Sequence, residues 1–172
     1  MENIKISRAA IEDMETIQQI GRQTFFETFA ESNTEADMKK YLDGHFSQEQ
    51  LSTEVNHPDS RFYIAWEDQS PIGYLKVNTG QAQTELQDEN SLEIERIYVL
   101  SAYHGKKVGQ LLYEKALEVA RLLKKSSIWL GVWEENLRAI KFYTRNGFVA
   151  FDQHIFKMGD DEQIDIMMKK RL

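Results

Sequence analysis

The sequence predicts a single α/β domain, and three observations predict it. β-rich runs alternate with stretches whose apolar residues recur at helical spacing along the whole chain. No linker, internal repeat or low-complexity tract divides its 172 residues. Near its centre a strand-like run passes through a glycine- and lysine-bearing turn into a helix with one apolar face.

The elements follow in order. Asn3 to Ser7 alternates as a first strand, and Ile11, Met14, Ile17, Ile20, Thr24 and Phe25 then mark a helix. Two short helices come next, Thr34 to Leu42 and one opening at Ser47, where Ser47 and Gln50 have capping-box spacing. His57-Pro58-Asp59-Ser60 stops the second of these. Arg61 to Trp66 and Ile72 to Asn78 form a hairpin across a turn-prone segment, and the polar stretch Gly80 to Asn90 reads as a long exposed connection. Leu92 to Val99 is a central strand. The helix Val108 to Leu123 follows, with Val108, Leu111, Leu112, Ala116, Val119, Ala120 and Leu123 on one face. Ser127 to Trp133 is a fifth strand, and Leu137 to Asn146 a helix ended by Gly147. Phe148 to Lys157 and Ile164 to Lys170 close the sheet.

Composition narrows the chemistry. The chain is 41% hydrophobic and 28% charged, values of a globular protein, and no run approaches the roughly 20 apolar residues of a membrane span. A cytoplasmic protein is expected. With no cysteine there is no disulfide, thiolate metal site or cysteine nucleophile, and the four histidines lack metal-ligand spacing. No metal is expected. The net charge of −7 disfavours nucleic acid and anionic membrane surfaces and suits a cationic partner.

The turn Tyr103-His104-Gly105-Lys106-Lys107-Val108-Gly109, between strand and helix, is where backbone N–H groups and the positive helix end can cradle a phosphate. Lys106 and Lys107 add charge. On the preceding strand, strict alternation places Glu93, Glu95, Ile97 and Val99 on one face and Leu92, Ile94, Arg96 and Tyr98 on the other, unless a bulge intervenes. Two carboxylates about 6.7 Å apart then share a side.

The order of these elements and the residues on them resemble the GNAT superfamily of acetyl-CoA-dependent N-acetyltransferases, over essentially the whole chain. Its cofactor loop reads Arg or Gln, two residues, Gly, one residue, Gly or Ala; here those positions are His104, Lys107 and Gly109. The first two depart from the pattern, and Lys107 puts a Cβ where the backbone meets the pyrophosphate. The later motif is matched throughout by Asn136, Ala139, Phe142, Tyr143, Gly147 and Phe148. Ser91 to Tyr98, Ile128 to Glu134, and the tail His154-x-Phe156-x-Met158-Gly159-Asp160 with Gln163-x-Asp165 resemble the bacterial spermine/spermidine N-acetyltransferases of PaiA type.

The resemblance implies a mixed, strongly twisted sheet of about six or seven strands, splayed at the acetyl-CoA site, with helices on both faces. It implies transfer of an acetyl group directly to a primary amine, most closely a polyamine. A peptide N-terminus, using the Gly80 to Asn90 connection as a groove, or a non-catalytic CoA-binding regulator are the alternatives. It also allows a homodimer. Backbone groups of Ile97, Tyr98 and Val99 would pair with the pantetheine arm, and the loop from His104 through Gly105, Lys106, Lys107, Val108 and Gly109 to Gln110 would hold the pyrophosphate. Asn136 would cap its helix, bond the cofactor, or both, and Arg145 would reach a phosphate or simply sit exposed near a helix C-terminus.

An amine with a pKa near 10.4 attacks only when neutral, and neutralising it at pH 7 costs roughly 4.6 kcal/mol. A carboxylate that binds the cation and takes its proton meets both needs. By resemblance Glu95 is the expected base and Glu93 a substrate carboxylate or relay; both could instead be solvated or paired with lysines. Tyr143 would protonate the departing thiolate, against the plainer reading of a packed aromatic. His154 is expected to make a structural hydrogen bond on a late strand. Trp129, Trp133 and Met158 read as core or groove lining. Asp160-Asp161-Glu162 is an acidic turn that could attract a polyamine or be merely solvated.

Overall fold

A computed structural model describes residues 3–172. Among these, seven strands form one sheet in the order β1-β2-β3-β4-β5-β7-β6. They are β1 (Ile4–Arg8), β2 (Ser60–Glu67), β3 (Ser70–Asn78), β4 (Ser91–Val99), β5 (Ser127–Trp133), β6 (Val149–Met158) and β7 (Asp161–Arg171). Only β4 and β5 run parallel, because α4 (Val108–Leu122) carries the chain across the sheet between them; every other pair is antiparallel. The expected mixed α/β sheet is borne out.

Helices cover both faces. On one side α1 (Met14–Phe29), α2 (Glu35–His45) and α3 (Gln48–Asn56) bury Ile17, Ile20, Phe25, Met38, Leu42 and Leu51 against Phe62, Ile64 and Tyr74. On the other, α4 and α5 (Leu137–Arg145) cover Leu75, Val77, Leu92, Ile94, Ile128 and Leu130. Val108, Leu112, Tyr113, Ala116, Val119 and Ala120 of α4 are all buried, a spacing of three and four residues that keeps one stripe on the sheet. Each large apolar side chain so buried contributes about 1.5–3 kcal/mol.

Element ends follow local chemistry. Thr34 and Ser47 cap α2 and α3, their hydroxyls accepting from the N–H groups of Asp37 and Gln50, each at 3.1 Å. Only the Ser47 half of the capping box is made, and the Gln50 amide nitrogen donates to Glu54 Oε2 at 2.9 Å. Helix α1 begins at Met14 rather than Ile11, where the Asp13 carboxylate accepts from the Ala10 N–H and a 3-10 turn precedes the helix.

The connection from Gly80 to Asn90 is mostly exposed, as expected, apart from one residue that turns inward. Gln83 is buried, its amide oxygen accepting from Trp129 Nε1 at 2.7 Å, and the Thr84 N–H donates to Glu93 at 2.9 Å. These two residues anchor an otherwise solvated segment to the sheet.

The sheet opens at its middle. Pairing of β4 with β5 runs from Ser91↔Ser127 only to Ile94↔Leu130. Beyond that point β4 stays with β3 as far as Gly73↔Val99, and β5 stays with β7 as far as Trp133↔Asp165. The two central strands separate there, as expected of a splayed sheet.

Candidate active site

A bulge at the point of separation decides which side chains face which way. Lys76 opposes Arg96 while the next residue, Val77, opposes Ile94, so Glu95 is an extra residue on β4. Strict alternation therefore fails. Leu92, Ile94, Ile97 and Val99 all join the core under α4, whereas Glu93, Glu95, Arg96 and Tyr98 turn to the opposite side. Glu93 and Glu95 share a side as expected, but Ile97 and Val99 do not share it with them.

Those polar side chains line a cleft of about 350 Å³ between β4 and β5, closed by Tyr143 and Asn136 from α5 and by Phe25 and Phe29 from α1. Among the predicted site residues Glu93, Glu95, Ile97, Tyr98, Asn136 and Tyr143 line it. Sequence reasoning gave no role to four others at the site: Asn78, Thr84, Glu85 and Asp165. Asp165 lay in the quoted tail without a function, and Thr84 and Glu85 lay in the segment read as a solvated connection. Their acid and hydroxyl content was the only available signal.

The two central carboxylates have opposite surroundings. Asn78, fully buried, donates to Glu93 Oε1 at 3.0 Å and to Glu95 Oε1 at 2.8 Å. Glu93 is 2% exposed and accepts further bonds from the Thr84 N–H and hydroxyl. Burial outweighs these bonds and pushes the Glu93 carboxyl up, with the Glu95 charge adding to the shift. Glu95 is also desolvated, yet Arg96 and Lys76 overcome that penalty and hold it at about 2. Lys76 Nζ lies 2.7 Å from Glu95 Oε1, and Arg96 Nη2 lies 3.1 Å from Oε2. Glu54 of α3 closes the ring, 2.8 Å from Lys76 and 2.9 Å from Arg96. Two acids and two bases thus cancel beneath the bulge.

At the back of the cleft His154 Nε2 is 3.7 Å from both Glu85 and Asp165, and its Nδ1 is buried without a partner. The structural hydrogen bond expected of His154 is absent among the described residues, since 3.7 Å exceeds hydrogen-bond range. Burial pushes the Asp165 carboxyl up, partly opposed by His154 and reinforced by Glu85. Trp129 and Trp133 line the cleft as expected of them, and Met158 lies wholly in the core.

The remaining predicted residues gather outside the cleft, where β4 leads into α4. Lys107 sits at φ 64°, ψ 16°, the left-handed conformation that a glycine would adopt without strain, and Gly105 at φ +80°. No side chain caps α4, so the first-turn N–H groups of Val108, Gly109 and Gln110 have no intrahelical acceptor. A Cβ on Gly109 would meet nothing within 4 Å, which leaves the space beside that turn open for a phosphate. The Val108 side chain is buried in the core, so only its backbone faces the turn. The Lys106 ammonium lies 5.2 Å over the Tyr103 ring. The Gln110 and Asn146 amides bond reciprocally at 3.2 and 3.3 Å, tying the start of α4 to the end of α5 beside exposed Arg145.

Two backbone edges complete the arrangement. Leu100 N–H donates to Ile72 O at 3.0 Å, so strand alternation turns the peptide groups of Ile97 and Val99 toward the opening rather than toward β3. His104 Nε2 already sits 2.9 Å from Val99 O, joining the loop to that edge. The Asn136 side chain caps α5, accepting from Ala139 N–H at 3.2 Å, while the residue also faces the cleft.

This fold and site define an acyltransferase whose donor carries phosphates. Residues 16–148 match the model of the acetyltransferase (GNAT) family. An uncharacterised N-acetyltransferase of Lactobacillus delbrueckii subsp. lactis is 40% identical over 172 residues, covering 100% of this chain and 99% of that one. The spermidine N(1)-acetyltransferase of Thermoplasma acidophilum is 27% identical over 98% of each chain. The crystal structure of PaiA N-acetyltransferase from the same organism, in complex with coenzyme A, superposes with a TM-score of 0.81 at 25% identity, covering 98% of this chain and 99% of that one. The chain belongs to the GNAT family. It is an N-acetyltransferase that uses acetyl-CoA as cosubstrate. Among the described residues no group of three or more His, Asp and Glu side chains is placed to hold a metal ion, and no helix is long and apolar enough to cross a membrane.

Proposed function

We propose that the acetyl acceptor is a linear polyamine of the spermidine and spermine kind. The observation that carries this reading is the charge of the cleft: Glu85, Glu93 and Asp165 line it, while Arg96 is already matched within the Glu54–Lys76–Glu95 ring. A cation entering there meets carboxylates whose charge no lysine or arginine cancels. The likeness to the Thermoplasma spermidine acetyltransferase supports the same choice.

Acetyl-CoA, when bound, supplies an activated thioester. Glu93 takes the proton of the attacking ammonium, directly or through water, because its raised affinity for a proton suits a base, whereas Glu95 at about 2 suits a permanent anion. The base's role expected of Glu95 thus passes to Glu93, and Glu95 takes the alternative of pairing with basic residues, in the ion ring beside the bulge. An N–H at the free edge of β4, from Ile97 or Val99, steadies the charge that develops on the carbonyl oxygen. Tyr143, its phenol pushed up by burial, keeps its proton at neutral pH and gives it to the leaving thiolate. The loop from His104 to Gln110 and the side of Arg145 hold the phosphates. Gln83 and Thr84 tie the Gly80 to Asn90 connection to β5 and β4, which leaves less of it free to form a groove for a peptide acceptor.

Thiol release measured across spermine, spermidine, short diamines and N-terminal peptides tests the proposal. Polyamines should give the highest kcat/KM. Turnover of peptides with none of the polyamines would refute it.

A further inference from the structure

Gly131 is an exposed residue inside β5, with Leu130 and Val132 buried on either side of it. It is the first residue of that strand beyond Ile94↔Leu130, the last pair that β4 and β5 share, so it lies where the sheet opens. Glycine weakens a strand relative to alanine, and it is found there where the chain bulges, where φ is positive, or where another backbone or a ligand comes close. Pairing of β5 with β7 runs without a register shift from Ser127↔Arg171 to Trp133↔Asp165, and Gly131 has no positive φ. Among the described residues a Cβ on Gly131 would meet no atom closer than His154 Cε1 at 3.5 Å and Asp165 Oδ2 at 3.6 Å, both ordinary van der Waals distances. Neither bulge, torsion nor packing requires the glycine, which leaves a ligand.

The surroundings of Gly131 give that ligand its shape. Ile128, Leu130 and Val132 join the core under α4, so Trp129, Gly131 and Trp133 share the opposite face and line the cleft. The glycine opens a gap between two indoles whose Cα atoms each stand about 6.7 Å from it along the strand. Both rings are fixed: Trp129 is 1% exposed with its Nε1 donating to Gln83, and Trp133 packs on Phe29 at 4.8 Å between ring centroids. Trp129 is level with Glu93 on β4, and Trp133 is level with Asp165 on β7. The gap therefore runs from the proposed base toward a second carboxylate.

From this we infer that Gly131 is a specificity-determining residue, its bare backbone the floor on which the acceptor's unbranched carbon chain lies between the reacting nitrogen at Glu93 and a second ammonium at Asp165. The inference rests on the polyamine reading given above and adds which residue limits the width of the acceptor. Methylene groups lie against the two indoles while the distal charge reaches the Asp165 carboxylate. A chain branched beside its amine, as at most peptide N-termini, meets the indole walls instead.

The test compares the full-length protein with Gly131→Ala and Gly131→Val. Alanine fits with ordinary contacts and suits a strand better than glycine, so the thermal midpoint of Gly131→Ala should be kept or raised. KM for spermidine should nonetheless rise about tenfold in Gly131→Ala and further in Gly131→Val, with kcat at saturating amine held within about threefold. Calorimetric affinity for acetyl-CoA should stay at the wild-type value. A lowered kcat at unchanged KM, or a loss of acetyl-CoA affinity as large as the loss for the amine, would overturn the inference. If the wild type acetylates polyamines and their KM is unchanged in both variants, the role of Gly131 is refuted and the polyamine reading stands. If the wild type acetylates other amines alone and the substitutions raise KM for those, Gly131 is the floor of the acceptor site and the polyamine reading fails.

Discussion

Asn78 holds Glu93 by a 3.0 Å hydrogen bond in which both residues are buried, and the same amide nitrogen reaches Glu95 at 2.8 Å. One donor therefore registers two carboxylates whose affinities for a proton diverge. Glu93 is desolvated without a cation, while Glu95 is desolvated between two. Pairs of titratable groups pushed apart by their surroundings divide the labour of proton transfer.

The first prediction separates their roles. Glu93→Gln should lower kcat/KM for the amine about 10²-fold or more near neutral pH and move the rate optimum upward, because the free amine must then form in solution. Glu95→Gln should act on stability, since it leaves Lys76 and Arg96 short of a charge; losses of about 3–5 kcal/mol are typical when one member of a buried pair is removed. Steady-state pH profiles and urea unfolding of both variants check this. A wild-type pH profile for Glu93→Gln would return the base's role to Glu95.

Much of the fold could be read from residue patterns, because strand and helix periods and glycine stops are local signals. The bulge at Glu95 could not be read. Nothing in Leu92 to Val99 marks an extra residue, and its position follows from pairing with β3 and from the ion ring to Glu54 on a distant helix. The Gly80 to Asn90 connection is exposed as its polarity suggests, but the inward bonds of Gln83 and Thr84 to β5 and β4 could not be read, because polarity alone reads as exposure. Motif spacing placed Tyr143 and Asn136 at the cleft, whereas Asn78, Glu85 and Asp165 reach it only through tertiary pairing.

The ion ring also sets an acid limit. Glu95 falls from an ordinary value of 4.5 to about 2 on folding, and Glu54 is lowered too, by Arg96 and Lys76 acting against its burial. A carboxyl with a depressed folded value contributes stability that is complete above its unfolded value and lost as pH falls through the folded one. Stability should therefore decline from about pH 5 toward pH 2, by about 3 kcal/mol at most for Glu95. Glu93, raised by burial, has the opposite sign and offsets part of this above its unfolded value. Urea midpoints from pH 3 to 7 should show a shallower acid limb in Glu95→Gln, and an acid limb as steep as wild type would contradict the account.

Lys107 meets the loop's backbone requirement at a cost. A non-glycine residue in the left-handed region is strained by about 1–2 kcal/mol, and no side-chain cap at the start of α4 offsets it. Lys107→Gly should keep or raise the thermal midpoint and preserve or improve acetyl-CoA affinity. Calorimetry decides, and a loss of more than tenfold would make the lysine ammonium an essential phosphate contact.

Tyr143 offers the sharpest test of the leaving-group step. It is 9% exposed and packs edge-on against Phe142 and Phe148 at 5.2 and 5.6 Å between ring centroids, contacts that phenylalanine would retain. Burial pushes its phenol up, with Tyr98 adding to the shift, so it stays protonated over the range in which the enzyme can be assayed. Tyr143→Phe removes only the hydroxyl. Single-turnover kinetics should then show kcat lowered about 10²-fold, with acetyl-CoA affinity held within about threefold, the pattern of a group that acts in the transition state alone. If the two rates are equal, the thiolate departs without help from Tyr143, and the residue belongs to the aromatic wall of the cleft.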